Sequence, residues 1–230
     1  MKALSNSGLA ALYIASGTVP ASRLEPLARA ALRRAKDMTL RAMSHLPSSE
    51  FEIVRAKLEQ RVTVNSVISG VYIRCVRDIE ELRQLLCDGT LSDSFSCFGS
   101  VGIVVVDSIA GTVSGGVLAD GEVHGSAALV VGAVGALLKL FAIREGAAVL
   151  VTNQVRAVFP TTHQGAQRRQ GLVPALGLQW AVAPHVRVNL RRVNNLSTAA
   201  RRQLTIMSGP AHRPASGTYL ICDEGIRNDE

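Results

Sequence analysis

The sequence predicts an α/β fold built on a mostly parallel sheet. Short apolar runs rich in Val and Ile alternate with segments of helical periodicity, the rhythm of strand-helix-strand crossovers. Some of these runs are apolar almost throughout, as in strands covered on both faces. Apolar residues make up 47% of the 230 and aromatics only 4%, so Ala, Val, Leu and Ile must build the core. With charged residues at 19%, that balance excludes global disorder. A chain of this length folds without help from disulfides or metal. No repeat or interdomain linker is visible, so residues 1–230 are expected to form a single domain.

Each element has its own signal. Residues 10–15 (AALYIA) form a strand ending at Ser16-Gly17-Thr18. Leu24, Leu27, Ala31, Ala35 and Met38 recur at spacings of three and four, which predicts a helix over 23–39. After the break at Pro47, Ser49 is placed to cap a second helix through Leu58. Residues 70–76 (GVYIRCV) form a strand, and Asp78 caps a helix carrying Ile79, Leu82, Leu85 and Leu86. Residues 101–106 (VGIVVV) and 147–152 (AAVLVT) are buried strands joined through a Gly-rich loop and a helix over 126–144. Residues 157–171 are polar and aperiodic and read as a long loop. The tail holds strand-like runs at 186–190, 204–207 and 219–222 with no helix between them, so antiparallel strands complete the fold.

Other classes of function find little support. Cys75, Cys87, Cys97 and Cys222 contain no Cys-x-x-Cys pair, and no signal peptide precedes them, so reduced intracellular thiols are expected. The five histidines are scattered, with none spaced for a helical metal site. The apolar run at 127–143 is only 17 residues long and contains Lys139. A membrane span wants about 20 apolar residues, so a helix packed on a sheet is expected instead. The net charge of +7 rests on 21 Arg and only 4 Lys, a balance that fits a polyanionic partner without identifying it.

Two strand ends carry chemistry. Val104-Val105-Val106-Asp107-Ser108 places a carboxylate at the carboxyl edge of the sheet, where α/β proteins bind ligands. Such an Asp either holds Mg²⁺ beside a nucleotide, directly or through water, or caps the turn that follows. Val151-Thr152-Asn153-Gln154 ends a second buried strand in amides that can sense a phosphate or simply form a turn. Asn153 follows Asp107 by 46 residues, with one helix between them.

The order of six segments resembles a known family. They are ALYIASGTVPASRL (11–24), GVYIRCVRDIEELRQLL (70–86), VGIVVVDSIAG (101–111), VLVTNQV (149–155), VPALGLQWA (173–181) and LTIMSGPAHRPASGTYLICDEGIR (204–227). Together they are similar to eukaryotic recombinase paralogues of the RecA superfamily, of the X-ray-repair cross-complementing type, across nearly the whole chain. The resemblance implies a RecA-like ATPase core acting in homologous recombination in the nucleus, with ATP and Mg²⁺ as cofactors. Its implied partners are other recombinase paralogues or a recombinase filament, and single-stranded DNA. Asp107 matches the family's Mg²⁺-holding Asp, with Ser108 beside it. Asn153 and Gln154 match the amides opening a DNA-binding loop, and residues 174–177 match the segment closing it.

The departures matter as much. A phosphate-cradling loop requires G-x-x-x-x-G-K-[ST], and none of Lys2, Lys36, Lys57 or Lys139 follows a Gly. In the family that loop precedes the strand that begins here near Ala10, so the domain is expected to be N-terminally incomplete, without its P-loop strand and helix. The strand at 147–152 would then lose a neighbour. Where the family carries a Glu that activates water, this chain runs Ala15-Ser16-Gly17-Thr18. Hydrolysis of ATP by this chain alone is therefore not expected; a DNA-dependent ATPase whose P-loop lies outside this sequence is the alternative. Arg168 and Arg169, with Arg156 at the start of the loop, are the candidate DNA-binding residues. Arg191-Arg192 and Arg201-Arg202 flank a turn and read as plain surface. Trp180 reads as core among Leu176, Leu178, Ala181 and Val182.

Overall fold

A computed structural model describes residues 9–88, 91, 100–113, 125–158, 171–193, 200–209 and 213–229. They fall into two compact units, one holding residues 1–19 and 70–184, the other 20–69 and 185–230.

The first unit is built on four parallel strands: β1 (Ala10–Ala15), β2 (Val71–Cys75), β3 (Val101–Asp107) and β4 (Ala148–Val151). They lie in the order β2-β1-β3-β4. Leu12 and Ile14 of β1 and Val104 and Val106 of β3 share one face of the sheet and are almost fully buried. Ile73, Ile103 and Leu150 on the other face are exposed, so the strands expected to be covered on both faces are covered on one. The covering helices are α4 (Ile79–Cys87) and α5 (Ser126–Glu145). Ile79, Leu82 and Leu86 of α4 recur on one stripe, as do Val131, Val134, Leu138 and Phe141 of α5, and all seven belong to the core. Asp78 caps α4 by accepting the Glu81 N–H at 2.8 Å. Gly146 ends α5 in the left-handed region at φ 64°, where a side chain would be strained.

The run expected to pack rather than span does pack, through those four residues. Even so, residues 127–145 are long and apolar enough to cross a membrane by length and composition, and Leu129, Leu140 and Ile143 are exposed. Among the described residues β4 ends the sheet, with Leu150 exposed.

Residues 157–171 are not loop throughout. β5 (Val155–Val158) and β6 (Gly171–Pro174) pair as an antiparallel hairpin, with Arg156 opposite Val173. Short β-branched pairs at the two ends of a polar segment gave no periodicity to detect. After β6, α6 (Gly177–Ala181) places Trp180 in the core beside Leu176, whereas Leu178 and Val182 are exposed.

The second unit holds α1 (Leu24–Ala42), α2 (Ser48–Arg61), α3 (Val64–Ser69) and four antiparallel strands. These strands are β7 (Arg187–Arg192), β8 (Arg201–Ser208), β9 (Ala215–Cys222) and β10 (Gly225–Asn228), in the order β10-β9-β8-β7. The antiparallel finish was legible in the sequence; α3 and β10 are too short to have stood out. α2 begins at Ser48 with no side-chain cap, so Ser49 does not play the expected part. Arginines strap α1 to the β9–β10 turn. Arg34 donates to the Ile226 and Glu224 carbonyls, Arg33 pairs with Glu224 at 3.1 Å, and Arg23 pairs with Asp223 at 3.4 Å.

Candidate functional site

The carboxyl ends of β1, β3 and β4 stop level with one another. Ala15 is the register partner of Asp107, and Val106 that of Val151, so Ser16, Asp107 and Thr152 reach the edge side by side. Backbone hydrogen bonds lock this edge: Ser16 N–H donates to the Asp107 carbonyl at 2.9 Å and Thr152 N–H to that of Val106 at 2.9 Å.

Both carboxylate oxygens of Asp107 accept hydroxyl protons. Thr152 Oγ1 donates to Oδ1 at 2.6 Å, and the Tyr13 phenol donates to Oδ2. The Tyr13 pKa is pushed up to about 12, first by burial, then by the hydrogen bond to Asp107 and by its charge. The phenol therefore stays a donor and fixes the carboxylate's orientation.

Asp107 joins Ser108 through a cis peptide bond. The Ser108 N–H donates to Ser16 Oγ at 3.1 Å, and the Ser108 hydroxyl accepts the Gly111 N–H at 3.2 Å. Gly111 is required by close approach, since a Cβ there would lie 2.2 Å from Ser16 Oγ. Sequence reasoning singled out Asp107, Ser108 and the amides as candidates, and the structure adds Tyr13, Thr152, Ser16 and Gly111 as the residues set against Asp107 and Ser108. Tyr13 lies 94 residues from Asp107, and only strand register brings them together.

The Asn153 side chain does structural work beside this edge. Asn153 Nδ2 donates to the Ala175 carbonyl at 2.9 Å and its Oδ1 accepts the Gln154 N–H at 2.9 Å. The Ala175 N–H donates to the Gln154 carbonyl at 2.9 Å. Asn153 thus ties the end of β4 to the segment following β6, at the base of the β5–β6 hairpin. Arg156 sits within that hairpin, whereas Arg168 and Arg169 lie outside the described residues.

Among the described residues no complete Mg²⁺-nucleotide site is assembled. No group of three His, Cys, Asp or Glu comes together among the described residues. Asp107 is a lone carboxylate whose oxygens already accept two hydroxyl protons, which suits holding a hydrated cation through water better than direct ligation. The sequence offers no Gly-Lys pair to neutralise phosphates.

A solved structure described as the RadB recombinase matches with a TM-score of 0.62 and 15% identity, over 97% of this chain and 80% of that one. At that identity the likeness shows the fold, which is RecA-like: a mostly parallel sheet, flanking helices and antiparallel strands at the C-terminal end. No family model matches the sequence, and no curated protein matches it.

Proposed function

We propose that this chain serves homologous-recombination DNA repair as a recombinase paralogue of the X-ray-repair cross-complementing type, without hydrolysing ATP by itself. Its partners in this proposal are other paralogues or a recombinase filament, together with single-stranded DNA, and its place of action is the nucleus. The RecA-like fold and the likeness to a recombinase support this role, as does the order of the six sequence segments. The observation that carries it is the sheet edge itself. An oriented Asp107 stands beside Ser16, at the strand end where the resembled family carries a water-activating Glu, which supports a chain that keeps a carboxylate in place without driving hydrolysis. ATP and Mg²⁺, if engaged, would need phosphate-binding groups beyond those seen here, with Asp107 supplying the carboxylate.

DNA contact is assigned to the loop between β5 and β6, whose base Asn153 ties down. The test is fluorescence anisotropy with a labelled single-stranded oligonucleotide. Arg168→Ala with Arg169→Ala should weaken binding and lower its salt dependence by about 1.4 in the log-log slope, two contacts' worth for a single strand. An unchanged affinity and slope would remove the loop from the DNA-binding surface.

A further inference from the structure

Helix α5 is apolar on two sides, and its own unit uses one of them. Val131, Val134, Leu138 and Phe141 face the core. On the opposite side Leu129, Ala133, Ala136, Leu140 and Ile143 are exposed, the three large ones at 77%, 61% and 77%. These five recur at spacings of four, three, four and three. That is the repeat of a helix that lies along another helix, with one apolar residue every 3.5 positions on average. Covering a sheet takes a single apolar stripe, so the fold itself does not account for the second.

The order of sizes says what the partner is. Leu129 stands at one end of the stripe, Leu140 and Ile143 at the other, and Ala133 and Ala136 between them. Turned end for end about Ala136, the stripe matches itself: Leu129 meets Ile143, Ala133 meets Leu140, and Ala136 meets Ala136. A two-fold interface demands such self-matching, because every contact in it occurs twice. Gly132 lies one turn from Ala136, and a Cβ placed on it would find nothing within 4 Å, so a second backbone can approach closely there. Charge selects the direction. The stripe holds no charged residue, and Lys139 flanks it. A parallel pair would set Lys139 level with its counterpart, whereas an antiparallel pair separates the two by about 9 Å along the axis.

A lipid surface fits less well. A helix lying in a membrane interface sets its apolar side against a charged one, and the far side of α5 is core instead. Area sets the strength. A stripe about 21 Å long and one helix wide falls short of the ~800 Å² that each partner buries in a standard interface. Leu178 and Val182, exposed at 77% and 79% on α6 and its C-terminal cap, widen it. They are within reach because the segment after α6 lies against α5 at Gly135.

We propose that the outward face of α5 is a self-association surface, on which a second copy of this chain packs its own α5 antiparallel about Ala136. The pairing needs neither nucleotide nor DNA. With so small an area it is concentration-dependent, with a dissociation constant of about 1 μM or weaker.

The test is sedimentation equilibrium of the full chain without DNA, over a range of concentrations. The mass should rise from one chain to two and stop there. Leu140→Glu with Ile143→Glu should keep it at one chain where the parent is dimeric, and Ala136→Glu should do the same. All three positions are exposed, so the circular-dichroism spectra should match the parent. Ala136→Cys under mild oxidation should give a cross-linked dimer above the parent's background, and Leu129→Cys should not. A single chain at every concentration overturns the proposal, as does a dimer that both Glu variants retain. Growth beyond two chains would mean an open-ended contact and overturns it too. A Leu129→Cys cross-link equal to that of Ala136→Cys would mean parallel pairing, which overturns the two-fold arrangement. Binding of a monomeric parent to phosphatidylcholine vesicles, lost in the Glu variants, would give the stripe to lipid and overturn it as well.

Discussion

The hydroxyls on Asp107 decide what that residue can do. A carboxylate held by Tyr13 and Thr152 is oriented, and its orientation depends on the phenol keeping its proton. Because burial and Asp107 raise the Tyr13 pKa from 10.0 to about 12, the stability this contact contributes is present below pH 10 and lost as pH rises through about 12. Alkaline difference absorbance, with Tyr13→Phe as the reference, should show Tyr13 ionising near pH 12. Asp107→Asn should move that midpoint only part of the way back, since burial is the larger cause. A Tyr13 midpoint near 10 in the unmodified protein would mean the contact is absent in solution. Asp107 was legible from an apolar strand ending in a carboxylate, because that pattern is local. Its supports were not, because Tyr13, Ser16 and Gly111 acquire meaning only when strands distant in sequence are set in register.

At the scale of elements, the helices that cover the parallel sheet are specified in different ways. α4 is short, and its start rests on Asp78, whose carboxylate takes the Glu81 N–H while Glu81 in turn accepts the Arg77 N–H at 2.9 Å. Replacing Asp78 with Ala should lower unfolding stability by about 1 kcal/mol in a urea titration. A variant as stable as the parent would show that α4 is held by Ile79, Leu82 and Leu86 alone. α5 is apolar on almost every side, and Gly135 lets the segment after α6 come close: a Cβ there would lie 2.8 Å from the Ala183 Cβ. Strands and helices with strong periods were readable from the sequence, and so was Asp78 as a cap. The β5–β6 hairpin was not, since four-residue strands around a polar segment carry too little pattern. β10 escaped for the same reason.

For the whole molecule, the division of charge sharpens what composition only suggested. An excess of Arg pointed to a polyanion, and the structure locates it: the unit of residues 20–69 and 185–230 holds 16 Lys and Arg against 9 Asp and Glu, the other unit 9 against 9. The fold class was readable because a RecA-like sheet announces itself through the order of its strands. The expectation that this chain does not hydrolyse ATP rests on the run Ala15-Ser16-Gly17-Thr18 and on four lysines that never follow Gly. The most direct measurement is ATP turnover by the purified chain, with and without single-stranded DNA, alongside Asp107→Ala. The expected result is DNA binding with no turnover above background in either protein. DNA-stimulated turnover that disappears in Asp107→Ala would contradict it, and would make this chain an ATPase in its own right.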